Sequence, residues 1–252
     1  GSEPNSTDDH KTLQFVPAFL IRQKSKIFAT FPPGEGSLED IMNILSCQQA
    51  FGAFDKTSRA MASAVEEWFR LYYRSTAENG EDPCQRIAYT VVSKLVRTVF
   101  AEYGVSTDSD FVRQVLDALG EQKKTALQQA LVGGECYLKP WTDGSGFRFT
   151  VIPRDHILIF GRDPEGQPTD VGTMERSTYA GGYYTLLERR YLEADGRLTL
   201  ENKLYRASDP ELLGSQVALH THPDYAKLPR KYTFTKPLGS VGLVRLATPM
   251  LN

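Results

Sequence analysis

The 252 residues carry 29 Lys and Arg against 31 Asp and Glu, a formal net charge of −2, with 40% hydrophobic and 24% charged residues. That balance belongs to a globular chain long enough to bury a core. It excludes a protein that grips nucleic acid over its whole surface, which needs a basic excess.

Three cysteines, Cys47, Cys84 and Cys136, stand far apart and form no CxxC pair. This argues against a disulfide framework and for the reduced thiols of an intracellular protein. No apolar run approaches the ~20 residues that cross a bilayer. The start, GSEPNSTDDH, lacks a basic region followed by an apolar one and does not read as a secretion signal.

Residues 1–36 read as a tag scar, Gly1-Ser2, followed by an extended arm. The arm alternates roughly, as Lys26 to Phe31 does, and the PPGEGS stretch after it resembles a linker. The composition leaves open that this arm was joined artificially to the rest. From 37 to 252 the sequence predicts one α+β domain, with helices over 37–132, antiparallel strands over 135–207 and irregular chain over 208–252.

The first helix opens at SLEDIMNIL, where Ser37 and Asp40 have capping-box spacing. The second starts near Asp55 or Ser58. It lays Met61, Ala64, Val65, Trp68, Phe69 and Tyr72 along one stripe and ends before NGEDP. The third runs from about Cys84 to Tyr103, its wide apolar face built from Ile87, Ala88, Val91, Val92, Leu95, Val96 and Val99. The fourth starts near Thr107-Asp108, and Gly120 is placed to kink or divide it.

The period then changes to two. ECYLKPW, FRFTVIP, HILIFG, DVGTMERS, YYTLLERRYLE and RLTLENKLYRA read as strands, with GSG, DPEG and EADG as turns. In the clearest hairpin one strand alternates Thr185, Leu187, Arg189 and Tyr191, and the other Leu198, Leu200, Asn202 and Leu204. KYTFTK is one last candidate strand. Helices first and strands afterwards predict α+β, not a parallel βαβ architecture.

The stretch ALVGGECYLKPW raises the question of a nucleophile. A catalytic thiol at Cys136 needs a base and a lowered pKa, and Asp155 and His156 lie downstream. The bland reading is a helix that stops at Gly133-Gly134 and hands over to a strand, with Cys136 as a small buried hydrophobe. His220, His222 and Asp224 are the best metal candidates, since a strand would point both imidazoles one way. No GxxxxGKS or GxGxxG is present. FGRDPEGQPTD lacks the ligands of a calcium loop and reads as a hairpin turn. Trp68, Tyr72 and Tyr73 read as core, and Arg189-Arg190 as a solvated sheet face. No acid–base carboxylate pair stands out. The sequence therefore assigns no catalytic, cofactor-binding or metal residues and predicts no enzyme.

MASAVEEWFRLYY, PCQRIAYTVVSKLVRTVFAE, ALVGGECYLKPWTDGSGFRFTVIPRDHILIFGRDPEGQ and GGYYTLLERRYLEADGRLTLENKLYRA occur in this order over residues 55–207. That series resembles the N-terminal, wing-like half of bacteriophage portal proteins, the siphophage portal or minor capsid protein family. The resemblance implies a structural subunit of a homo-oligomeric ring at one capsid vertex. Double-stranded DNA passes through such a ring without sequence specificity during packaging and ejection. It further implies capsid protein, terminase and head–tail connector proteins as partners, no cofactor, no membrane, and a place in the virion after assembly in the host cytoplasm. The family's stem, clip and crown are expected after PLGSVGLVRLATPMLN. On this reading, exposed apolar area is expected on two opposite sides. The rival from another class is a cysteine-dependent hydrolase or transferase using Cys136 and His156. A third is a metal-assisted binding module around His220 and His222.

Overall fold

The structure, a computed structural model, describes residues 38–73, 87–142, 146–210 and 212–248. Among the described residues four α-helices precede nine strands: α1 (Leu38–Phe51), α2 (Arg59–Tyr73), α3 (Ile87–Val99), α4 (Asp110–Gly133), β1 (Glu135–Thr142), β2 (Phe147–Pro153), β3 (Ile157–Arg162), β4 (Pro168–Tyr179), β5 (Gly182–Leu192), β6 (Arg197–Ala207), β7 (Ser215–Val217), β8 (Lys231–Pro237) and β9 (Val244–Ala247). The fold is α+β, with the helices first and antiparallel hairpins after them. The arm at 1–36, the cap at Ser37, the NGEDP turn, Cys84 and Gly144-Ser145 lie outside the described residues.

Local chemistry explains the boundaries. The Ser58 hydroxyl accepts from the Met61 amide at the head of α2. Ser109, in extended backbone, accepts from the Val112 amide and caps α4. α4 runs through Gly120 without a break. An added Cβ there would meet nothing, so this glycine neither divides the helix nor serves close packing. At its other end Gly134 sits in the left-handed region (φ 77°), as a helix terminator should. Gly133 has a different reason. A Cβ there would come within 2.9 Å of both the Arg154 Cβ and the Phe69 ring, so α2, α4 and the 3-10 turn Arg154–His156 converge only on a residue without a side chain.

The strands form two sheets, a small one in the order β2-β1-β9 and a large one in the order β3-β4-β5-β6-β7, with β8 also paired to β6. Alternating residues on one strand go to different layers. Leu158, Phe160 and Leu187 of the large sheet pack with Cys47 and Phe51 of α1. Ile157, Ile159 and Val171, on its other face, pack with Tyr137 and Ile152 of the small sheet and with Val241. Cys136, Leu138 and Val151, on the far side of the small sheet, pack on Ala126 and Ala130 of α4. Val132 of α4 in turn packs with Val65, Phe69 and Tyr72 of α2, against which Val92 of α3 also rests. The layers therefore run α1, large sheet, small sheet, α4, then α2 and α3.

Two expectations change here. Residues 208–252, read as irregular apart from the candidate strand KYTFTK, which is β8, also contain β7 and β9. The last pairs Glu135–Leu138 of β1 with Ala247–Val244. Four residues, VRLA, are too few to show a period, and a partner 110 residues away fixes them. In the β5–β6 hairpin the register pairs Leu186 with Leu204 and Arg190 with Leu200. The set Thr185, Leu187, Arg189, Tyr191 thus lies on the opposite face from Leu198, Leu200, Asn202, Leu204. Both faces are covered, so alternation along one strand does not say which face is which.

Candidate functional site

Cys136 is fully buried and its Sγ donates to the Ala126 carbonyl at 3.1 Å. Burial, helped by the adjacent Glu135 charge, pushes the thiol up to about 12, so it is protonated at neutral pH. His156 sits beyond the strand end, with its Nδ1 2.9 Å from Asp155 Oδ1. This geometry speaks for the handover reading of ALVGGECYLKPW, in which Cys136 is packing and Gly133-Gly134 make the junction. Cys47 is buried too, and burial pushes it up to about 11. In a Cys84→Ser background, a colourless-to-coloured disulfide reagent at pH 7.5 is expected to label neither remaining thiol within minutes, and both on unfolding. One fast native thiol would reopen the nucleophile reading.

His220 and His222 do not share a strand face. Leu219–Thr221 form a 3-10 turn, with His220 exposed and His222 buried just after it. Three tyrosine rings surround the His222 imidazole, with centroids 4.6 Å (Tyr225), 5.1 Å (Tyr184) and 5.1 Å (Tyr179) away. Its Nδ1 accepts from the Asp224 amide at 3.3 Å, and its Nε2 lies 3.4 Å from Ser177 Oγ. Burial lowers its pKa. One ring nitrogen thus closes the 222–224 turn, and the other ties that turn to Ser177 of β4 in the large sheet. Among the described residues no three His, Cys, Asp or Glu converge with metal-binding geometry.

The Arg189-Arg190 pair is not a solvated basic face. Arg189 forks onto Asp170, at 3.0 and 2.7 Å, and donates to the Phe51 carbonyl. Arg190 points to the other side and is buried. Its Nε meets Glu188 Oε1 at 2.7 Å, where Lys139 Nζ also arrives at 2.7 Å. Burial alone would raise the Glu188 carboxyl, but Arg190 and Lys139 outweigh it and hold the group far below the usual range. A second buried carboxylate, Glu135, takes Arg154 at 3.0 Å, Arg245 at 2.6 Å and Arg162 at 3.4 Å. Its pKa falls as well, because Arg245, Arg154 and Arg162 overcome its desolvation. These constellations join strands to one another and expose no reactive atom. FGRDPEGQPTD closes the β3–β4 hairpin, with Asp163 Oδ1 accepting from the Gln167 amide at 2.7 Å. The chain matches none of the family models and none of the curated proteins with which it was compared.

The surface the sequence did not reveal lies on the helices. Val96 of α3 is buried, but the row Ile87, Val91, Leu95 and Val99 remains 61, 51, 48 and 57% exposed. These residues recur every four positions, a continuous ridge along the helix. Met61, Trp68 and Leu71 of α2, and Phe111 and Val112 of α4, are each about two-fifths exposed or more. The stripe read from the α2 sequence is therefore only partly core: Val65, Phe69 and Tyr72 are inside, whereas Met61 and Trp68 are not. At the other end of the layer order, Ile44 and Leu45 of α1 and the neighbouring Phe54 are also exposed. The only sequence sign is that the apolar arc of α3 is wider than one packing contact requires. No helix among the described residues is long and apolar enough to cross a membrane.

Proposed function

We propose that this chain is a structural subunit of a phage portal ring, the conduit for packaged and ejected DNA and the docking site of terminase and connector proteins. The observation that carries the reading is the apolar surface left on both outer layers, on α1 at one end and on α2 and α3 at the other. A subunit in a closed ring uses two different patches, one for each neighbour, and exposed apolar area of several hundred Å² marks interaction sites. The ordered series of segments over residues 55–207 supports the same reading.

Electron microscopy of the full-length subunit is expected to show closed rings with a central hole. A full-length protein that stays monomeric at high concentration under assembly conditions overturns the reading. The cysteine-dependent alternative finds no support in the burial and protonation of Cys136.

A further inference from the structure

We propose that His222 is an acid-released latch. When its imidazole gains a second proton, the 219–228 turn lets go of the large sheet and bares Tyr184, Leu186 and Leu204. The latch stands apart from the ring reading.

The turn is built to open locally. Its Leu219 and Tyr225 bury Tyr184, Leu186 and Leu204, with Val217 and Leu228 packed alongside. Its backbone hydrogen bonds are internal: Thr221 donates to Ala218, His222 to Leu219, Tyr225 to His222 and Leu228 to Tyr225. Among the described residues, side chains attach it to the sheet. His222 meets Ser177, and the Tyr225 hydroxyl lies 3.1 Å from Ser177 Oγ and 3.3 Å from Glu175 Oε1. Bonds to the sheet through the main chain resume only at Pro229 and Arg230, whose carbonyls accept from Asn202. Such a segment can open while the strands stay paired.

Hydrogen bonding fixes where the ring proton sits. Nδ1 accepts from the Asp224 amide, so the neutral ring carries its proton on Nε2, toward Ser177 Oγ. A second proton has only Nδ1 to go to. There it would set one N–H against another, and the 222–224 turn must open to admit it. Facing the ring are Glu175, Ser177 and Tyr179 of β4, Tyr184 of β5, and Asp224 and Tyr225 of the turn itself. The Arg206 guanidinium of β6 lies over the Tyr184 ring at 5.8 Å, and the turn's His220 and Lys227 are exposed. The two carboxylates and the tyrosine faces favour a charged imidazole. Burial opposes it and prevails. The folded value is therefore the lower one. The contribution of His222 to holding the turn is complete above about pH 6.5 and is lost as pH falls from there to the lowered folded value.

Two measurements on the full chain test this. Hydrogen exchange, corrected for its intrinsic pH dependence, reads the protection of the 219–228 amides relative to the β5–β6 hairpin. Between pH 7 and 5 that relative protection is expected to fall about tenfold or more. His222→Asn supplies a side-chain oxygen that can accept from the amide two residues on and has no proton to gain, so its relative protection is expected to stay flat. A flat parent, an equal slope in the variant, or equal loss in the hairpin overturns the latch. The second measurement needs no variant of the latch itself. Imidazole resonances of the parent, assigned by replacing the other three histidines with Gln one at a time, are expected to show His222 as the Nε2–H form at pH 7.5 and titrating below about 6.5. An Nδ1–H form, or protonation at or above that value with the turn still protected, overturns it as well.

Discussion

Glu188→Gln is expected to cost about 3–5 kcal/mol of unfolding free energy, read from urea melts. The substitution keeps the shape and removes the charge that Lys139 and Arg190 share. Lys139, Glu188 and Arg190 are all buried, so two cations would lose the carboxylate they share in a poorly polarisable interior. Lys139 comes from the small sheet and Glu188 from the large one. Arg190 also donates to the carbonyls of Val241 and Gly242 at 3.3 Å. The loss therefore falls on the joint between the layers. Replacing all three by Met, Leu and Leu is expected to recover much of it, since well-packed apolar groups often match a buried ionic cluster. A loss below about 1 kcal/mol for Glu188→Gln would mean that water reaches the cluster.

The same carboxylate sets an acid limit. The folded pKa of Glu188 is depressed, so its contribution is complete above the unfolded value of about 4.3 and disappears as pH falls through the depressed folded value. Glu135 behaves alike. The gap in stability between the parent protein and Glu188→Gln is expected to stay constant from pH 7 to about 5 and to narrow only below about 4.

Phe51→Ala is expected to cost about 3–5 kcal/mol as well, and its effect is local. Phe51 is the last residue of α1 and one of the buried side chains that attach it to the large sheet. Its ring meets Phe160 at 5.3 Å between centroids. It lies over Gly172 so closely that a Cβ there would stand 2.7 Å from the ring. That glycine, in the interior of β4, marks the approach of another element. Removal of the ring leaves a cavity that a strand cannot close. α1 is expected to become cleavable by protease under conditions where the parent is resistant. Phe54→Ala is the control. Phe54 is 73% exposed, and the change is expected to stay within about 0.5 kcal/mol. Equal effects of the two substitutions would contradict the packing of α1 described above.

The sequence was most legible where one local rule acts alone. The Gly133-Gly134 junction, the hairpin turn at FGRDPEGQPTD and the strands of the β5–β6 hairpin follow from turn chemistry and short-range alternation. It was least legible where distant partners decide. Arg189-Arg190 looks solvated until Asp170, 19 positions away, takes Arg189 on one side of the strand and the Val241 carbonyl, 51 positions away, accepts from Arg190 on the other. His220-Thr221-His222 looks like a strand until the 3-10 turn inserts one imidazole among three tyrosines. On α3 the two apolar rows are equivalent in sequence. Only the packing of α2 and α4 distinguishes the buried Val96 row from the exposed ridge, and the candidate surface is that second row.

β1 lies in the middle of the small sheet, with β2 on one side and β9, more than a hundred residues later, on the other. Before Val244–Ala247 are made, the β1 edge that faces away from β2 has no strand to pair with. A nascent chain halted before that point carries a free strand edge, the kind of site at which half-made chains stick to one another.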